Sequence, residues 1–273
     1  MIESQIEAEE TEKKVKLKKL IVFDVSSSFA FFRKNFSTTY ALTFAVIPRS
    51  AVEGLVGSIL GLSRLDFPNL LESSKIAIQL MSPVRKLNMK YMHINHDWWN
   101  ETLNHYLKNT QFILQKARAP MSVPASAEFL VKPSYRLYVD TNNEQINNDL
   151  ATNLRNKQSF YTPYLGGTSM IASAKYVGKF DYESAPNKGE YLPVSSIIPF
   201  TGRMPKTKLE RDLSFATEED IVIHIDNGRR SIGTYSVLYS VKPGCLLVDD
   251  KDIIKVENNT YVKFLPTTAR IST

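Results

Sequence analysis

Residues 43–62, TFAVIPRSAVEGLVGSILGL, decide the predicted fold, because an apolar run stops at Pro48 and a helical pattern follows it. The helix is predicted to begin at Arg49 and Ser50, and three glycines recur along it: Gly54, Gly57 and Gly61. A glycine inside a helix costs about 1 kcal/mol relative to alanine, so another contact must offset that cost. We expect another backbone to pass close to the glycine face. That backbone is either a protein strand or a polyanion at the helix N-terminus, where free N–H groups favour phosphate.

The composition and charge of the chain favour a folded protein with a polyanionic partner. The 273 residues are 43% hydrophobic, which suits one large core or two small ones. Residues 33–211 hold 22 Lys and Arg residues against 13 Asp and Glu residues, so the basic excess lies in the middle of the chain. A nucleic acid would be attracted to such a surplus.

The N-terminus and the cysteine content predict a cytoplasmic protein. The sequence has no apolar run long enough to span a bilayer, and its charged N-terminus does not resemble a secretory signal. Residues 1–18 contain blocks of Glu and then Lys, which predict a mobile charged extension. Cys245 is the only cysteine, which excludes an intramolecular disulfide and a cysteine-based zinc cluster.

The remaining segments predict strands that alternate with single helices, which indicates the α+β class. Strand-like runs begin near residues 19, 75, 128, 175, 195 and 220, and residues 141–158 predict a helix. Residues 86–127 lack steady periodicity and are predicted to form an arm that leaves the sheet and returns to it. The arm carries large apolar side chains suited to a protein interface: Met89, Met92, Trp98 and Trp99.

Two further segments combine aromatic rings with cations or glycines. Residues 29–34, FAFFRK, place Arg33 and Lys34 beside three phenylalanines, which either stack on bases or belong to the core. Residues 161–167, YTPYLGG, end in a Gly-Gly pair that predicts a turn or an anion-accepting nest.

Several of these motifs resemble the Cas-five family of CRISPR interference complexes. The resemblance is carried by FDV at 23–25, FAFFRK at 29–34, PRSA at 48–51 with the glycines after it, FLVKPSYRLYV at 129–139 and YTPYLGG at 161–167. It runs in order over residues 19–200, and its style is closest to the type I-B branch. Beyond Ser214 the similarity is too thin to use, so the strands of residues 212–273 have no predicted placement.

The resemblance implies a ferredoxin-like, RRM-like antiparallel sheet within residues 19–273, with a glycine-bearing helix and a protruding β-hairpin thumb at residues 86–127. It implies a non-catalytic subunit of a type I CRISPR interference complex in antiviral defence. Such a subunit grips the 5′ handle of the crRNA and caps a filament of Cas-seven subunits. The further implied partners are a large Cas-eight-type subunit and, through the assembled complex, target DNA. Neither a cofactor nor a membrane is implied.

A reader of single-stranded RNA needs cations, backbone donors and aromatic platforms. Residues 203–211, RMPKTKLER, are expected to act as a basic clamp. The candidate RNA-binding residues are Arg33, Lys34, Arg49, Ser50, Gly54, Tyr161, Tyr164, Gly166, Gly167, Arg203, Lys206 and Lys208.

Two alternatives to this interpretation stay open. The first is a metal-independent endoribonuclease that processes precursor crRNA, because a related protein of the type I-C branch uses a Tyr, Lys and His constellation. The second is a metabolic α+β enzyme whose glycine helix faces a phosphorylated small molecule. The four histidines match no nuclease motif, and the His-x-x-His pair lacks a third metal ligand, so no catalytic residue and no metal site is assigned: His93, His96, His105 and His224.

Overall fold

The computed structural model describes residues 18–35, 40–94, 100, 122–185, 189–208, 214–226, 228, 230–257 and 259–267. Within these residues the protein is a sheet-dominated α+β structure, as the sequence predicts. The helices are α1 (Arg49–Leu60), α2 (Phe67–Leu71) and α3 (Glu144–Arg155). The strands are β1 (Lys18–Ser27), β2 (Phe29–Ala30), β3 (Lys75–Leu80), β4 (Lys86–Ile94), β5 (Ser122–Val131), β6 (Ser134–Asp140), β7 (Ala172–Ser184), β8 (Leu192–Val194), β9 (Ile198–Phe200), β10 (Lys206–Lys208), β11 (Phe215–Ile225), β12 (Ser231–Ser240), β13 (Leu246–Asp249), β14 (Ile253–Val256) and β15 (Thr260–Lys263).

Four antiparallel strands, in the order β7-β1-β6-β3, form one end of a nine-stranded sheet, and β3 is its edge strand. Helix α1 connects β1 to β3 in the chain, and α3 connects β6 to β7. The two helices share the main core with alternate residues of β1, because successive side chains of a strand point to opposite faces. Ile21, Phe23 and Val25 lie on this helical face and are completely buried.

The opposite face of these four strands carries a second, smaller core. Leu20 and Val22 of β1 pack there with Tyr138 and Tyr182, and the C-terminal strands β14 and β15 supply Ile254, Val256 and Val262. The outer edge of β3 receives backbone hydrogen bonds from the residues after β15 and from the segment between β8 and β9. The N–H of Leu265 donates to the carbonyl of Ile76 at 2.7 Å, and that of Ile197 donates to Ile78 at 2.8 Å. Strands β14 and β15 therefore cover one face of these strands, while Ile197 and Leu265 satisfy carbonyls on the β3 edge.

A second sheet of three strands, in the order β11-β12-β9, packs beside α1. Its buried residues Ile221, Ile223, Tyr235 and Val237 belong to the main core. The sequence left the placement of the strands in residues 212–273 open. In the structure, β11 and β12 extend the main core, and β13 to β15 belong to the large sheet.

Strands β4 and β5 form an antiparallel hairpin that continues outward from the main core, and β2 pairs with the base of β5. Every described side chain of β4 is solvent-exposed. The predicted arm at residues 86–127 therefore begins and ends as a hairpin, while its tip lies outside the described residues. Among the helices of the described part of the chain, none has both the length and the apolar composition needed to cross a bilayer.

Candidate nucleic-acid interface

Arg49, predicted to bind phosphate at the start of α1, lies inside the protein. It is completely buried, and its Nη2 donates to the carbonyls of Glu72 at 2.9 Å and Ser74 at 2.7 Å. Its Nε lies 2.9 Å from a carboxylate oxygen of Glu53, one helical turn further along α1. The predicted phosphate contact of Arg49 is therefore wrong. The guanidinium satisfies the backbone of the turn between α2 and β3 instead.

The carboxylate of Glu53 joins Arg49 to a histidine of the second sheet. Nδ1 of His224, on β11, lies 3.5 Å from the second carboxylate oxygen of Glu53, and all three side chains are at most 4% exposed. The hydrogen bond to Glu53 raises the pKa of His224 above its ordinary value, and burial opposes that effect only in part. The buried hydroxyl of Tyr235 lies in the same core, where burial raises its pKa. This cluster fastens β11 to α1.

Lys34 is also held by a buried acid rather than presented to solvent. Its ammonium forms an ion pair with Glu218 of β11, whose other carboxylate oxygen accepts the N–H of Ala45 at 2.9 Å. The side chain of Lys34 is only 16% exposed and lies over the ring of Phe44. The prediction that Lys34 flanks an RNA strand is therefore wrong. Arg33, the residue before it, is solvent-exposed.

The three glycines of α1 meet three different surroundings, and none faces a strand. A Cβ on Gly54 would meet no atom within 4 Å, and a Cβ on Gly57 would lie 3.2 Å from the side chain of Phe67. Gly61 ends the helix with φ +75°, a left-handed conformation that glycine adopts without strain. No strand of the described chain passes over a shared glycine face, so the strand alternative is wrong, whereas a polyanion close to this face stays a prediction. Ser50 and Gly54 are half-buried on the outer side of the helix.

The predicted Gly-Gly turn follows two exposed tyrosines and docks on the segment after β2. Gly166 has φ +87°, and a Cβ there would lie 1.8 Å from the carbonyl oxygen of Phe31, so only glycine fits. The N–H of Phe31 donates to the carbonyl of Leu165 in the same contact. Tyr161 and Tyr164 are 51% and 44% exposed. The structure thus brings the YTPYLGG loop, with Gly167 half-buried, next to the chain segment that carries Arg33.

Three phenylalanines of residues 29–34 divide between the core and the surface. Phe32 is buried, Phe31 packs against Phe129 with ring centroids 5.4 Å apart, and Phe29 is 38% exposed. The core alternative therefore holds for Phe32, and stacking of Phe29 on a base stays a prediction.

The predicted basic clamp forms the edge of the large sheet. Lys206 and Lys208 lie on β10, which pairs with β13, and both are exposed, as is Arg203. The open cavity beside them, of about 410 Å³, is lined by Arg203, Lys206 and Lys251 and also by Asp249 and Asp250. This surface therefore carries both signs of charge and is separate from the YTPYLGG loop in the strand order.

The hairpin presents a row of apolar side chains to solvent. Leu87, Met89 and Tyr91 alternate along one face of β4 and are each 41–43% exposed, and Met92 on the other face is 62% exposed. Trp98 and Trp99, predicted with Met89 and Met92 as interface anchors, lie outside the described residues.

Comparison with known proteins places the chain in a family. The family model described as CRISPR-associated protein (Cas_Cas5) matches residues 20–231, which is most of the chain. The chain belongs to the Cas_Cas5 family. The protein is therefore CRISPR-associated, and the metabolic-enzyme alternative loses its support. No curated protein sequence matches the chain.

Three of the solved structures that are similar to this Cas_Cas5 protein have sequence identities of 12–14%. A chain of a CRISPR RNA-guided surveillance complex has 13% identity and a TM-score of 0.47, with 82% of this chain and 91% of that chain covered. A CRISPR protein from Archaeoglobus fulgidus has 12% identity and a TM-score of 0.46, with 89% and 97% covered. A chain of a type III-B Cmr-beta complex bound to cognate target RNA and AMPPnP has 14% identity and a TM-score of 0.42, with 85% and 86% covered.

One cluster of the Cas_Cas5 protein brings a lysine, a tyrosine and an acid together. Nζ of Lys75 donates to the Tyr182 hydroxyl at 3.2 Å, and that hydroxyl donates to Asp140 at 2.8 Å. Burial, followed by the hydrogen bond to Asp140, raises the pKa of Tyr182. A general base needs a pKa near the working pH, so this cluster suits a structural role in the small core.

Sequence reasoning passed over Phe160, the most exposed phenylalanine of the described residues. Its ring is 72% exposed and lies next to Tyr161, with centroids 4.9 Å apart in an edge-to-face pair. The signal available in the sequence was an aromatic pair, Phe160-Tyr161, directly after a polar segment with no large apolar residue, residues 155–159.

Proposed function

We propose that this protein is a non-catalytic crRNA-binding subunit of a type I CRISPR interference complex, close in style to the type I-B branch. In this role it grips the 5′ handle of the crRNA, caps a Cas-seven backbone, and touches a Cas-eight-type subunit and, through the complex, target DNA. The observation that carries the proposal is membership of the Cas_Cas5 family over residues 20–231. The excess of cations in residues 33–211 supports it.

The proposed fold assignment is a ferredoxin-like, RRM-like domain. The order β1-α1-β3-β6-α3-β7 in the chain, with β7-β1-β6-β3 in the sheet and both helices sharing one core, supports this assignment. In this arrangement β14 and β15 cover part of the face opposite the helices, so a bound RNA strand must use another surface.

The proposed RNA surface is the YTPYLGG loop together with Arg33. The loop offers the exposed rings of Tyr161 and Tyr164 and the backbone around Gly166, and the contact between Phe31 and Leu165 keeps Arg33 nearby. Rings bind unstacked bases and a guanidinium binds phosphate, which is what a single strand requires. Arg203, Lys206 and Lys208 form a second proposed contact, and Ser50 and Gly54 a peripheral one.

The hairpin β4–β5 is the proposed thumb. Its exposed row Leu87, Met89 and Tyr91 is the kind of apolar surface that a partner subunit buries. The sequence-predicted anchors Met92, Trp98 and Trp99 extend this proposal toward the tip.

The RNA proposal is tested by filter binding of the purified protein to repeat-derived single-stranded RNA at several salt concentrations. We expect tight binding that weakens steeply with salt, and a smaller salt slope, by about 1, in Arg33→Ala. A matched control is Arg230→Ala, an exposed cation outside the proposed surface. An absence of binding at low salt would overturn the proposal.

The assembly proposal is tested by co-purification with the Cas-seven filament. We expect the double variant Met89→Ala, Tyr91→Ala to be retained much less than the parent, at an unchanged melting temperature. Ile232→Ala, an exposed apolar residue on β12, serves as the control. If the parent, the double variant and Ile232→Ala are retained equally, the hairpin is not the thumb.

The non-catalytic part of the proposal is tested by incubation with a labelled precursor crRNA in EDTA. His224 is buried against Glu53, and the other described candidate cluster, Lys75 with Tyr182, is committed to the small core. We expect intact RNA. Cleavage that is lost in a histidine variant would establish the endoribonuclease alternative.

A further inference from the structure

Phe160 is a large apolar side chain that the protein holds firmly in solvent. Its ring is 72% exposed, although burial of a phenylalanine side chain stabilises a fold. A freely moving exposed side chain would need no explanation. The segment that carries Phe160, however, contacts the end of α1, where a side chain of α3 binds as well.

The last turn of α1 fixes the backbone that carries Phe160 and Tyr161. The N–H of Tyr161 donates to the carbonyl of Ser58 at 2.9 Å, and the N–H of Phe160 donates to that of Ile59 at 3.3 Å. Carbonyls at a helix C-terminus have no partner within the helix, so the loop satisfies them. Nδ2 of Asn153, from α3, donates to the same Ile59 carbonyl at 3.1 Å.

The ring of Phe160 lies directly over Gly61. A Cβ on Gly61 would come within 2.6 Å of Cγ of Phe160, so any other residue at this position would displace the ring. The edge-to-face contact with Tyr161, at an interplanar angle of 76°, holds the second ring. Two aromatic faces at nearly right angles are therefore fixed on the outside of the protein.

The charge around these rings matches a polyanion. In the two segments that carry these rings and their supports, residues 56–66 and 150–171, three cations, Arg64, Arg155 and Lys157, outnumber one acid, Asp66. All three cations are solvent-exposed. An apolar protein partner would leave this charge unmatched, whereas a nucleic-acid strand supplies a flat base for the ring and phosphates for the cations.

We infer that Phe160, with Tyr161 beside it, is a stacking platform for an unpaired base of the bound RNA, and that Gly61 is the residue that positions it. This inference rests on the proposed RNA-binding function. It adds a contact residue that the sequence did not indicate, and it extends the RNA surface from the YTPYLGG loop to the end of α1.

The test compares two 12-nucleotide RNAs of equal charge, an oligoadenylate and a strand with abasic sites in place of its bases. We expect the parent protein to prefer the oligoadenylate. Phe160→Ala should weaken oligoadenylate binding roughly tenfold, should affect the abasic strand little, and should leave the salt slope unchanged because no charge is removed. Phe160→Trp should restore the preference. Tyr191→Ala, an exposed aromatic outside this surface, is the control and should behave as the parent.

Each outcome separates the inference from the proposed function. If the parent binds neither RNA at low salt, the proposed function fails and the inference with it. If the parent prefers the oligoadenylate and Phe160→Ala binds it equally well, the inference fails while the proposed function stands. If Phe160→Ala weakens only retention by partner subunits, the surface is a protein contact and the inference is likewise overturned. A melting curve verifies that the variants are folded.

Discussion

A buried network of ion pairs joins the first turn of α1 to the second sheet, and it consists of Arg49, Glu53 and His224. All three side chains are desolvated, since each is at most 4% exposed. Removing one member of a buried pair leaves its partner charged and without water, which costs more than the intact pair contributes. Substitution of a single member of this cluster is therefore expected to lower the free energy of unfolding.

Arg49→Ala is expected to lower the free energy of unfolding by about 3 to 5 kcal/mol, because Glu53 and the carbonyls of Glu72 and Ser74 would lose their donor. Urea unfolding measures the loss. Ser50→Ala, at the next and half-buried position, should change the stability by less than about 0.5 kcal/mol. A folded Arg49→Ala protein with lower RNA affinity and parental stability would contradict the buried position.

The His224–Glu53 pair should make the stability of the fold depend on pH. Glu53 raises the pKa of His224 above the unfolded value of about 6.5, while Glu72 supports that rise and Arg49 opposes it. A raised histidine pKa contributes stability that is complete below the unfolded pKa and is lost as the pH rises through the folded pKa.

We therefore expect the difference in unfolding free energy between the parent and His224→Gln to be largest near pH 5.5 and to shrink as the pH rises above about 6.5. Urea titrations at four pH values from 5.5 to 8.5 measure it. The neighbouring hydroxyl of Tyr235 stays protonated over this range, because burial raises its pKa. Parallel stability curves would show that the histidine and the carboxylate are not coupled.

At the scale of the element, α1 combines three glycines that serve different purposes. Gly61 ends the helix in a left-handed conformation under the ring of Phe160. Gly57 leaves room for the side chain of Phe67 to pack against the helix. Gly54 has open space around its missing side chain, so neither packing nor backbone conformation requires it. The glycine pattern that marks the family in the sequence thus has a packing or conformational reason at only two of its positions.

Gly54→Ala is expected to stabilise the protein by about 0.5 to 1 kcal/mol, since alanine loses less entropy in a helix. Gly61→Ala should destabilise it by more than 1 kcal/mol, because it adds both left-handed strain and a clash with Phe160. Thermal unfolding of the two variants measures this difference in sign. A destabilised Gly54→Ala protein would mean that another chain or RNA normally lies over that face.

The local elements were readable from the sequence, and their long-range contacts were not. Alternation and apolar runs placed β1, β3 and α1 because periodicity is a property of neighbouring residues. The burial of Arg49 depends on carbonyls more than twenty residues away, and that of Lys34 depends on Glu218. A cation beside a helix start looks the same in sequence whether it faces phosphate or a carbonyl. Phe160 was missed for the same reason, since Gly61 that supports it lies on another element.

At the scale of the whole molecule, the small core depends on strands at the far end of the chain. Leu20 and Val22 of β1 are covered by β14 and β15, although the family model ends at residue 231. The sequence carried no usable likeness in this region. These strands nevertheless cover one of the two faces of β1.

A chain that ends at Asp249 is therefore expected to be insoluble or to unfold without cooperativity, because Leu20, Val22, Tyr138 and Tyr182 would lose their cover. A chain that ends at Thr267 keeps the described strands and should behave as the parent. Soluble yield and a melting curve followed by circular dichroism compare them. Cooperative, parental melting of the shorter chain would show that the small core is dispensable.

The cover that β14 and β15 provide for β1 also sets the earliest time at which this protein can finish folding in the cell. Strand β1 is synthesised before the residues that cover it, which follow roughly 240 residues later, on the order of 10 to 50 s at ordinary rates of translation. During that interval the apolar face of β1 has no native partner and is open to chaperones or to premature association. The nascent chain is therefore expected to need protection until β14 and β15 have been synthesised, and ribosome-bound fragments that end before β14 should be enriched in chaperone.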